Sequence, residues 1–541
     1  MNIVIKFTKR PNWSLLLSFF ILFLITIPIF YIVIHIFNDI KPTTKTLFDT
    51  YLMIYIKNSF IIVFFTAIFT TIIGVFLAYF ETFYEYKFRN FFRFTLILPF
   101  AFPSYLFGYI YTDFFSYSGW FITWLRVNYD IRLHFDIMNI YGCIFILTIA
   151  FFPYVYILLR GFLSKFSLNL IESAQSLGKS DLYIFFKVVL PLSRAAIVAG
   201  TSLCIMECLN AYGVPNYFGL HVFSTGIYKA WVGYQDLNAA IKLAGILLSI
   251  VFSLMILEKI FRKPYSMTTT KNRVFSRKKL SKKNEIIVLT LFFTILFVSL
   301  ILPTIHLFVW ISRTFNYIDW GNLILISKNT ILLTIISTVM IILISLFLNE
   351  TIRFKKGKTK EMFSTLANMG YSIPGSVIAI GMLILFISID HFLGNFYKNL
   401  GIDKNLVLTL SPIILMFSYC IRFLCLGYNG IEAGLKRVNP SYHESSLSLG
   451  KGKFQTFLKV DLPMIQTSIY SAFILIFIEI IKELPLASLL SPPNFKTLAF
   501  EMDRYASDEQ LAMTSVPAFV VVVICLVLLI VFNVIQKKAK K

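Results

Sequence analysis

Two short stretches carry residues of the kind that hold phosphate. Gly178-Lys179-Ser180 and Gly357-Lys358-Thr359 both end like a P-loop. Such a loop needs a second glycine five residues ahead of the Gly-Lys pair, so that backbone N–H groups can wrap the phosphates. Ser173 and Ile352 stand at those places. Neither stretch follows a short buried strand, so the nucleotide reading fails and the chain is read as a non-enzyme with no catalytic residue. The six cysteines (Cys143, Cys204, Cys208, Cys420, Cys425 and Cys525) form no Cys-x-x-Cys pair, and no two of the six histidines stand three or four apart. Cysteines so placed are small core residues. No metal site and no cofactor is read from the sequence, and no loop gathers Ser, His and Asp or paired acids in a catalytic array. The remaining candidates are carboxylates, Glu207 and Glu479, which fall inside long apolar stretches.

Those stretches define the fold class. The 541 residues are 57% hydrophobic and 14% charged, with mean hydropathy +0.77, against about 25% charged for a soluble chain. The apolar residues come in blocks of about 20, the length an α-helix needs to cross a roughly 30 Å hydrocarbon core. The chain is an all-α polytopic membrane protein. The first block, Ser14 to Ile36, exceeds the apolar region of a signal peptide and is read as a retained helix. Further spans are expected near 56–80, 94–115, 139–159, 195–214, 239–258, 286–309, 328–349, 363–388, 405–427, 465–484 and 511–535, twelve in all.

Net charge is +23, but its distribution follows topology rather than nucleic acid. With a cytoplasmic N-terminus, 35 of the 50 Lys and Arg residues fall in cytoplasmic segments, as the cost of translocating basic loops requires. The densest cluster is the linker from Lys259 to Lys283, with ten, a solvated tether at the membrane surface. Both termini are then cytoplasmic, as an even number of spans demands.

An internal repeat organises the rest. "ESAQSLGKSDLYIFFKVVLP" (172–191) and "ESSLSLGKGKFQTFLKVDLP" (444–463) share eleven of twenty positions at an offset of 272. The same offset pairs Glu207 with Glu479 and Asp236 with Asp508. One residue of drift pairs Asn58 with Asn329 and Pro103 with Pro374. The chain therefore reads as two homologous six-helix halves: 1–258 (core about 54–258), a basic cytoplasmic linker at 259–284, and 285–541 (core about 326–535). The shared segment lies between spans four and five of each half. Glu172 and Glu444 suit the N-terminal region of a short helix, and Gly178 and Gly450 permit a sharp turn. A second short amphipathic helix is expected to end at Leu190-Pro191 and Leu462-Pro463, because proline cannot continue a helix interior. Loops diverge faster than spans, so identity concentrated here argues for a docking surface.

With these residues in hand, the segment resembles the "EAA" loop of ABC-transporter permeases of the type I importer class. Glu172, Gly178, Val188, Leu190 and Pro191 occupy its fixed positions, as do Glu444, Gly450, Val460, Leu462 and Pro463. Ser173, Ser445 and Ser446 replace its usual alanines, and valine replaces isoleucine twice, which preserves size. The stretches 98–126, 206–233, 370–384 and 482–512 extend the likeness across nearly the whole chain, to fused two-half permeases of ferric iron importers. The resemblance implies the type I importer permease fold, in a bacterial cytoplasmic (inner) membrane. It also implies a pair of cytoplasmic ATPase subunits docked on the two loops. The outer loops, 116–138 and 215–238, are too short to fold a substrate-binding domain, which implies a separate extracytoplasmic binding protein; nucleic acid is no partner. Thiamine, polyamines, phosphonates and other inorganic ions are the alternative substrates. A secondary transporter of the major facilitator kind also has twelve spans in two halves, but has no use for the duplicated loop.

Ionisable groups inside a membrane cost about 2.5–3.5 kcal/mol on insertion scales and default to functional hypotheses. Glu207 and Glu479 occupy matched points of span five. They either ease a hard cation through, since such ions prefer oxygen ligands, or cap or bridge helices, with Glu479 paired to Lys482 or sharing a proton with Glu483.

Overall fold

The computed structural model describes residues 13–37, 42–133, 135–164, 169–261, 277–353, 355, 357–399, 401 and 406–538. Lys6, Lys9, Arg10 and linker residues 262–276, which carry part of the topological argument, lie outside them. The first half of the chain supplies helices α1 (Trp13–His35), α2 (Pro42–Phe83), α3 (Ser104–Phe115), α4 (Ile140–Leu163), α5 (Asn169–Ser176), α6 (Arg194–Asn210) and α7 (Leu237–Phe261). The second supplies α8 (Leu302–Thr314), α9 (Trp320–Ile352), α10 (Gly375–Asn399), α11 (Ile413–Leu435), α12 (Pro440–Ser448), α13 (Leu462–Ile481), α14 (Leu498–Ser507) and α15 (Ser515–Lys538). Among the described residues, ten helices are long and apolar enough to cross a membrane, and twelve if each of two bent pairs counts as one span.

Two expected spans, 94–115 and 363–388, are broken where the sequence reading drew them continuous. The breaks fall at the paired prolines. Residues 89–101 and 104–129 meet at 91°, with Phe102 extended (φ −86°, ψ 129°) ahead of Pro103. In the second half Ile373 is extended in the same way (φ −89°, ψ 128°) ahead of Pro374. A proline ring disfavours the α conformation in the residue before it, so one helix ends and the next begins with proline as its cap. The tenth span is also displaced: it runs as α11 from Ile413 rather than from 405.

The packing units differ in membership from the sequence halves. One unit comprises the residues up to Phe37, Leu325–Thr497 and the stretch from Val527; the other comprises Asn38–Ile324 and Leu498–Leu526. Each half thus surrenders helices to the unit built on the other. Within the first unit, α1 lies on α10 so closely that a Cβ on Gly381 would sit 2.7 Å from the Pro28 carbonyl oxygen. Tyr31 there donates to Ser388 Oγ at 3.4 Å, and Asn349 of α9 donates to the Tyr428 carbonyl of α11 at 3.0 Å.

Within the second unit, α2 packs along α4 and α6. Thr71 and Thr201 hydroxyls meet at 2.6 Å, and the Cys204 thiol meets the Thr70 hydroxyl at 3.2 Å. At the end of α2, buried Glu81 accepts from Arg89 at 3.0 Å, with Arg160 at 3.4 Å and Arg93 at 3.7 Å. A buried carboxylate persists when cations and donors satisfy it in this way. The short β1 (Tyr84–Glu85) pairs in parallel with β2 (Lys278–Lys279), bringing the end of the linker to this point. Five of the six cysteines are buried and Cys425 is half-buried, all as free thiols.

Candidate functional site

The duplicated segments fold into matching knuckles, one in each unit. The first consists of α5, a turn at Gly178, and a second short helix at Asp181–Ile184 capped by the Ser180 hydroxyl, which accepts from Tyr183 N–H. The second consists of α12, capped by Asn439, a turn at Gly450, and Lys453–Thr456. Gly178 (φ 70°) and Gly450 (φ 83°) both take the left-handed conformation. The closing bonds match as well. Lys179 N–H donates to the Ala174 carbonyl at 3.1 Å and Lys451 N–H to the Ser446 carbonyl at 3.3 Å, the 6→1 bond of a Schellman cap. A side chain there would cost about 1–2 kcal/mol in backbone strain, and glycine is the residue that avoids it.

The expectation that Leu190-Pro191 and Leu462-Pro463 end the second helix is corrected. The helix runs through both prolines. A π-turn precedes each, Phe185–Val189 and Phe457–Asp461. In these turns Leu190 N–H donates to the Phe185 carbonyl and Leu462 N–H to the Phe457 carbonyl, five residues back. The widened turn re-registers the ladder just where proline removes a donor and crowds a carbonyl. In the first copy the chain then bends by 69° into α6; in the second it passes straight into α13, and Lys453–Ile481 is one span.

Glu172 and Glu444 are exposed on the first helix of each knuckle, as are both turn glycines, Pro191 and Pro463, while Leu190 and Leu462 are half-buried. The sequence places Phe186 and Leu458 in the second amphipathic stretch of each copy, but does not single out the other large apolar side chains beside these residues. Leu177, Leu182 and Phe186 are 76%, 72% and 59% exposed, and Leu449, Phe454 and Leu458 are 80%, 72% and 43% exposed. Each pair is separated by 272 residues. Side chains of this size exposed at repeated positions mark a surface made to be covered.

The knuckles are anchored by opposite chemistry. In the first, Ile171, Ile184 and Val189 join an apolar cluster with Phe292 and Leu296. Lys278 at the linker's end binds Asp181 at 2.7 Å, and Asp181 beside it holds the lysine ammonium above its usual range. In the second, His443 and Asp461 replace Ile171 and Val189. His443 Nδ1 meets Asp461 Oδ2 at 2.6 Å, and Arg353, just past the end of α9, meets Asp461 Oδ1 at 2.8 Å. Glu350, His443 and Asp461 offer atoms within 4.8 Å of one another, a grouping the sequence spacing did not reveal. Asp461 already gives one oxygen to His443 and the other to Arg353, so the group is an ion-pair network rather than an open ligand set.

Glu207 lies in the last turns of α6 and Glu479 in the last turn of α13, both buried. Glu479 faces Lys482 at 3.7 Å, and neighbouring Glu483 faces buried Arg422 at 3.5 Å.

This duplicated architecture agrees with a family model. The model for "Binding-protein-dependent transport system inner membrane component" matches twice, over residues 70–266 and 341–541. The chain belongs to this family. It is a multi-pass inner-membrane permease component and not an enzyme. Among curated relatives, the chain is 22% identical over 446 residues to the "Fe(3+)-transport system permease protein FbpB 2" of Haemophilus influenzae, covering 81% of each chain. It is 23% identical over 409 residues to the "Ferric transport system permease protein FbpB" of Actinobacillus pleuropneumoniae, covering 71% of this permease and 56% of that one. It is 30% identical to the "Spermidine/putrescine transport system permease protein PotB" of Escherichia coli, over 139 residues that make up 25% of this chain and 49% of that one.

Proposed function

We propose that the chain is a two-half permease of an ATP-binding-cassette importer that carries iron(III) into the cytoplasm. The halves are 1–258 and 285–541, joined by the basic linker at 259–284, with both termini cytoplasmic. One ATPase subunit docks on each knuckle, around Glu172, Gly178, Leu190 and Pro191 in one half and Glu444, Gly450, Leu462 and Pro463 in the other. An extracytoplasmic binding protein delivers the substrate. The observation that carries the docking is the pair of congruent exposed triads beside glycines of positive φ. A surface of three large apolar side chains in a polar rim is the hot-spot pattern of a protein interface. Iron is favoured over polyamine by extent: the likeness to the ferric permease named above spans both halves, that to the spermidine/putrescine permease a quarter of the chain.

Uptake of radioactive ferric ion by cells carrying the whole importer tests this reading, with vanadate as the inhibitor of ATP hydrolysis and labelled putrescine as the competing substrate. Vanadate-sensitive iron uptake supports it. Vanadate-sensitive putrescine uptake without iron uptake transfers the permease to the polyamine class.

A further inference from the structure

In the second unit, buried Glu81, in the last turn of α2, is shared by three guanidinium groups. Arg89, itself buried, holds it closely. Its Nη2 lies 3.0 Å from Glu81 Oε1, and its Nε donates to the Glu81 carbonyl at 2.8 Å. Arg93, on the short helix Arg89–Thr95, and Arg160, on α4, approach the same carboxylate only to 3.7 and 3.4 Å. Arg160 also donates to the Arg93 carbonyl at 3.2 Å, which ties it to the backbone that carries Arg93. Other acids at this end are engaged elsewhere. Glu85 faces Arg277 at 3.8 Å, Asp181 binds Lys278 at 2.7 Å, and Glu285 accepts from the Lys87 N–H at 2.8 Å. Among the described residues, three cations therefore share one carboxylate, a surplus of two positive charges.

Duplication does not account for the surplus. At the offset of 272, Glu432 stands where Arg160 does, and it pairs with Lys436 at 2.8 Å. At the offset of 271 that matches Pro103 with Pro374, Ser364 stands where Arg93 does. The second half thus has neither guanidinium. Nor does Glu81 require them, since Arg89 alone neutralises it. Two further cations beside the first repel it and each other, and a half-buried charge is costly without a counter-charge.

We propose that Arg93 and Arg160 hold a phosphate anion, with Arg89 and Glu81 as the post that fixes them in place. Arg93 is 40% exposed and Arg160 half-buried, so an anion reaches the first from solvent and the second behind it. Guanidinium forks match the oxygens of phosphate and donate to them in pairs. The surplus of two charges is what a phosphate group of one or two negative charges offsets. Arg160 stands in the last turn of α4, a 24-residue span, which at 1.5 Å per residue places it where the span leaves a roughly 30 Å hydrocarbon core. Phosphate at that depth is the headgroup of an anionic phospholipid, the ligand that basic pockets between spans take. A soluble phosphate presents the same group. The topology proposed above makes this the inner leaflet, while binding in detergent is independent of it.

The test uses the purified permease, washed free of lipid in detergent. It is titrated with phosphatidylglycerol, with phosphatidylcholine, and with inorganic phosphate. Bound lipid is counted by native mass spectrometry and bound phosphate by equilibrium dialysis of the radioactive anion; the melting temperature is followed in each titration. Phosphatidylglycerol should bind more tightly than phosphatidylcholine and raise the melting temperature. Arg93→Gln and Arg160→Gln should each weaken its tightest binding about fivefold, the worth of one cation against an anionic lipid. Arg132→Gln, at an exposed arginine of the outer loop 116–138, should leave it unchanged. Because Arg89 still neutralises Glu81, Arg93→Gln should not lower the melting temperature of the lipid-free protein. Saturable binding of inorganic phosphate that both variants weaken, without preference between the lipids, keeps the site and assigns it to a soluble anion. Binding of lipid and phosphate that neither variant changes overturns the site. So does a loss of melting temperature in Arg93→Gln that is equal with and without ligand. Iron uptake enters none of these measurements, so failure of the site leaves the proposed function standing.

Discussion

His443 Nδ1 lies 2.6 Å from Asp461 Oδ2, and the first copy of the same knuckle places Ile171 and Val189 at these two positions. A duplicated surface has thus been kept while its supports diverged from apolar to ionic. Arg353 completes the ionic version at 2.8 Å. Removing one member of a buried charged pair strands the other and costs about 3–5 kcal/mol, whereas replacing the whole group with apolar residues is often neutral. Asp461→Val alone should therefore lower the yield and melting temperature of the detergent-purified permease sharply. Arg353→Met, His443→Ile and Asp461→Val together should restore most of both. Equal losses in the single and triple variants would show that the ionic group does more than support the knuckle.

The exposed triads lead to a prediction that separates docking from folding. Leu177, Leu182 and Phe186 stand in solvent, so changing any of them to glutamate leaves the core intact and should alter stability by less than about 0.5 kcal/mol. Attachment of ATPase should nevertheless fall at the first knuckle only. The matched changes at Leu449, Phe454 and Leu458 should act at the second. In ATPase attachment, Gly178→Pro and Glu172→Lys should behave like the first set, and Gly450→Pro and Glu444→Lys like the second, although proline cannot take the left-handed turn and its variants also lose local stability. Counting ATPase subunits that co-purify with each permease decides the matter, and full occupancy in the triple glutamate variant of either knuckle would end the docking assignment.

The linker's grip on the first knuckle is an ion pair at the surface, Lys278 to Asp181 at 2.7 Å. Its worth to stability is about 0–1 kcal/mol. Because the folded state raises the lysine's pKa, the contribution is fully present below the unfolded value of about 10.4 and is lost only as pH climbs past the raised value. Stability should thus show no step from this pair between about pH 6 and 9. Asp181→Asn should leave melting nearly unchanged in that window. If the pair also orients the knuckle, Asp181→Asn should still reduce transport-coupled ATP hydrolysis, and Lys278→Ala should do the same. A loss of melting temperature without a change in coupling would mark the contact as purely structural.

The paired knuckles were legible in the sequence because duplication wrote them twice. Eleven identities at one offset exposed the knuckle, and the two positive-φ glycines needed no other signal. The prolines were legible too, yet their effect was read wrongly in both directions. Pro103 and Pro374 break helices that hydropathy alone draws through them. Pro191 and Pro463 do not break theirs, because a π-turn ahead of each supplies the missing register, and nothing in local composition announces a π-turn. The ionic support at Asp461 escaped notice because Arg353 is more than a hundred residues distant and the first copy has no counterpart. The exchange of helices between units was invisible for the same reason: hydropathy finds spans but does not say which neighbours they choose.

Glu207 and Glu479 supply the riskiest expectation. Both sit near the C-terminal ends of their helices, where the helix dipole disfavours a carboxylate, so each is retained against a local cost. For Glu479, Lys482 at 3.7 Å offsets part of it. If the two carboxylates ease a cation along the path, Glu→Gln at either should slow iron uptake per folded permease, and the double change should slow it further. ATPase attachment should be untouched in every case, since the knuckles lie at the opposite ends of these helices. A bridging role gives another pattern. Glu479→Gln strips half-buried Lys482 of a counter-charge and should reduce the amount of folded protein more than Glu207→Gln does, while uptake per folded molecule stays normal. Measuring uptake and folded protein together for the two single variants and the double variant separates these outcomes. Normal uptake per molecule in the double glutamine variant would retire the pathway role and leave both carboxylates as helix-packing groups.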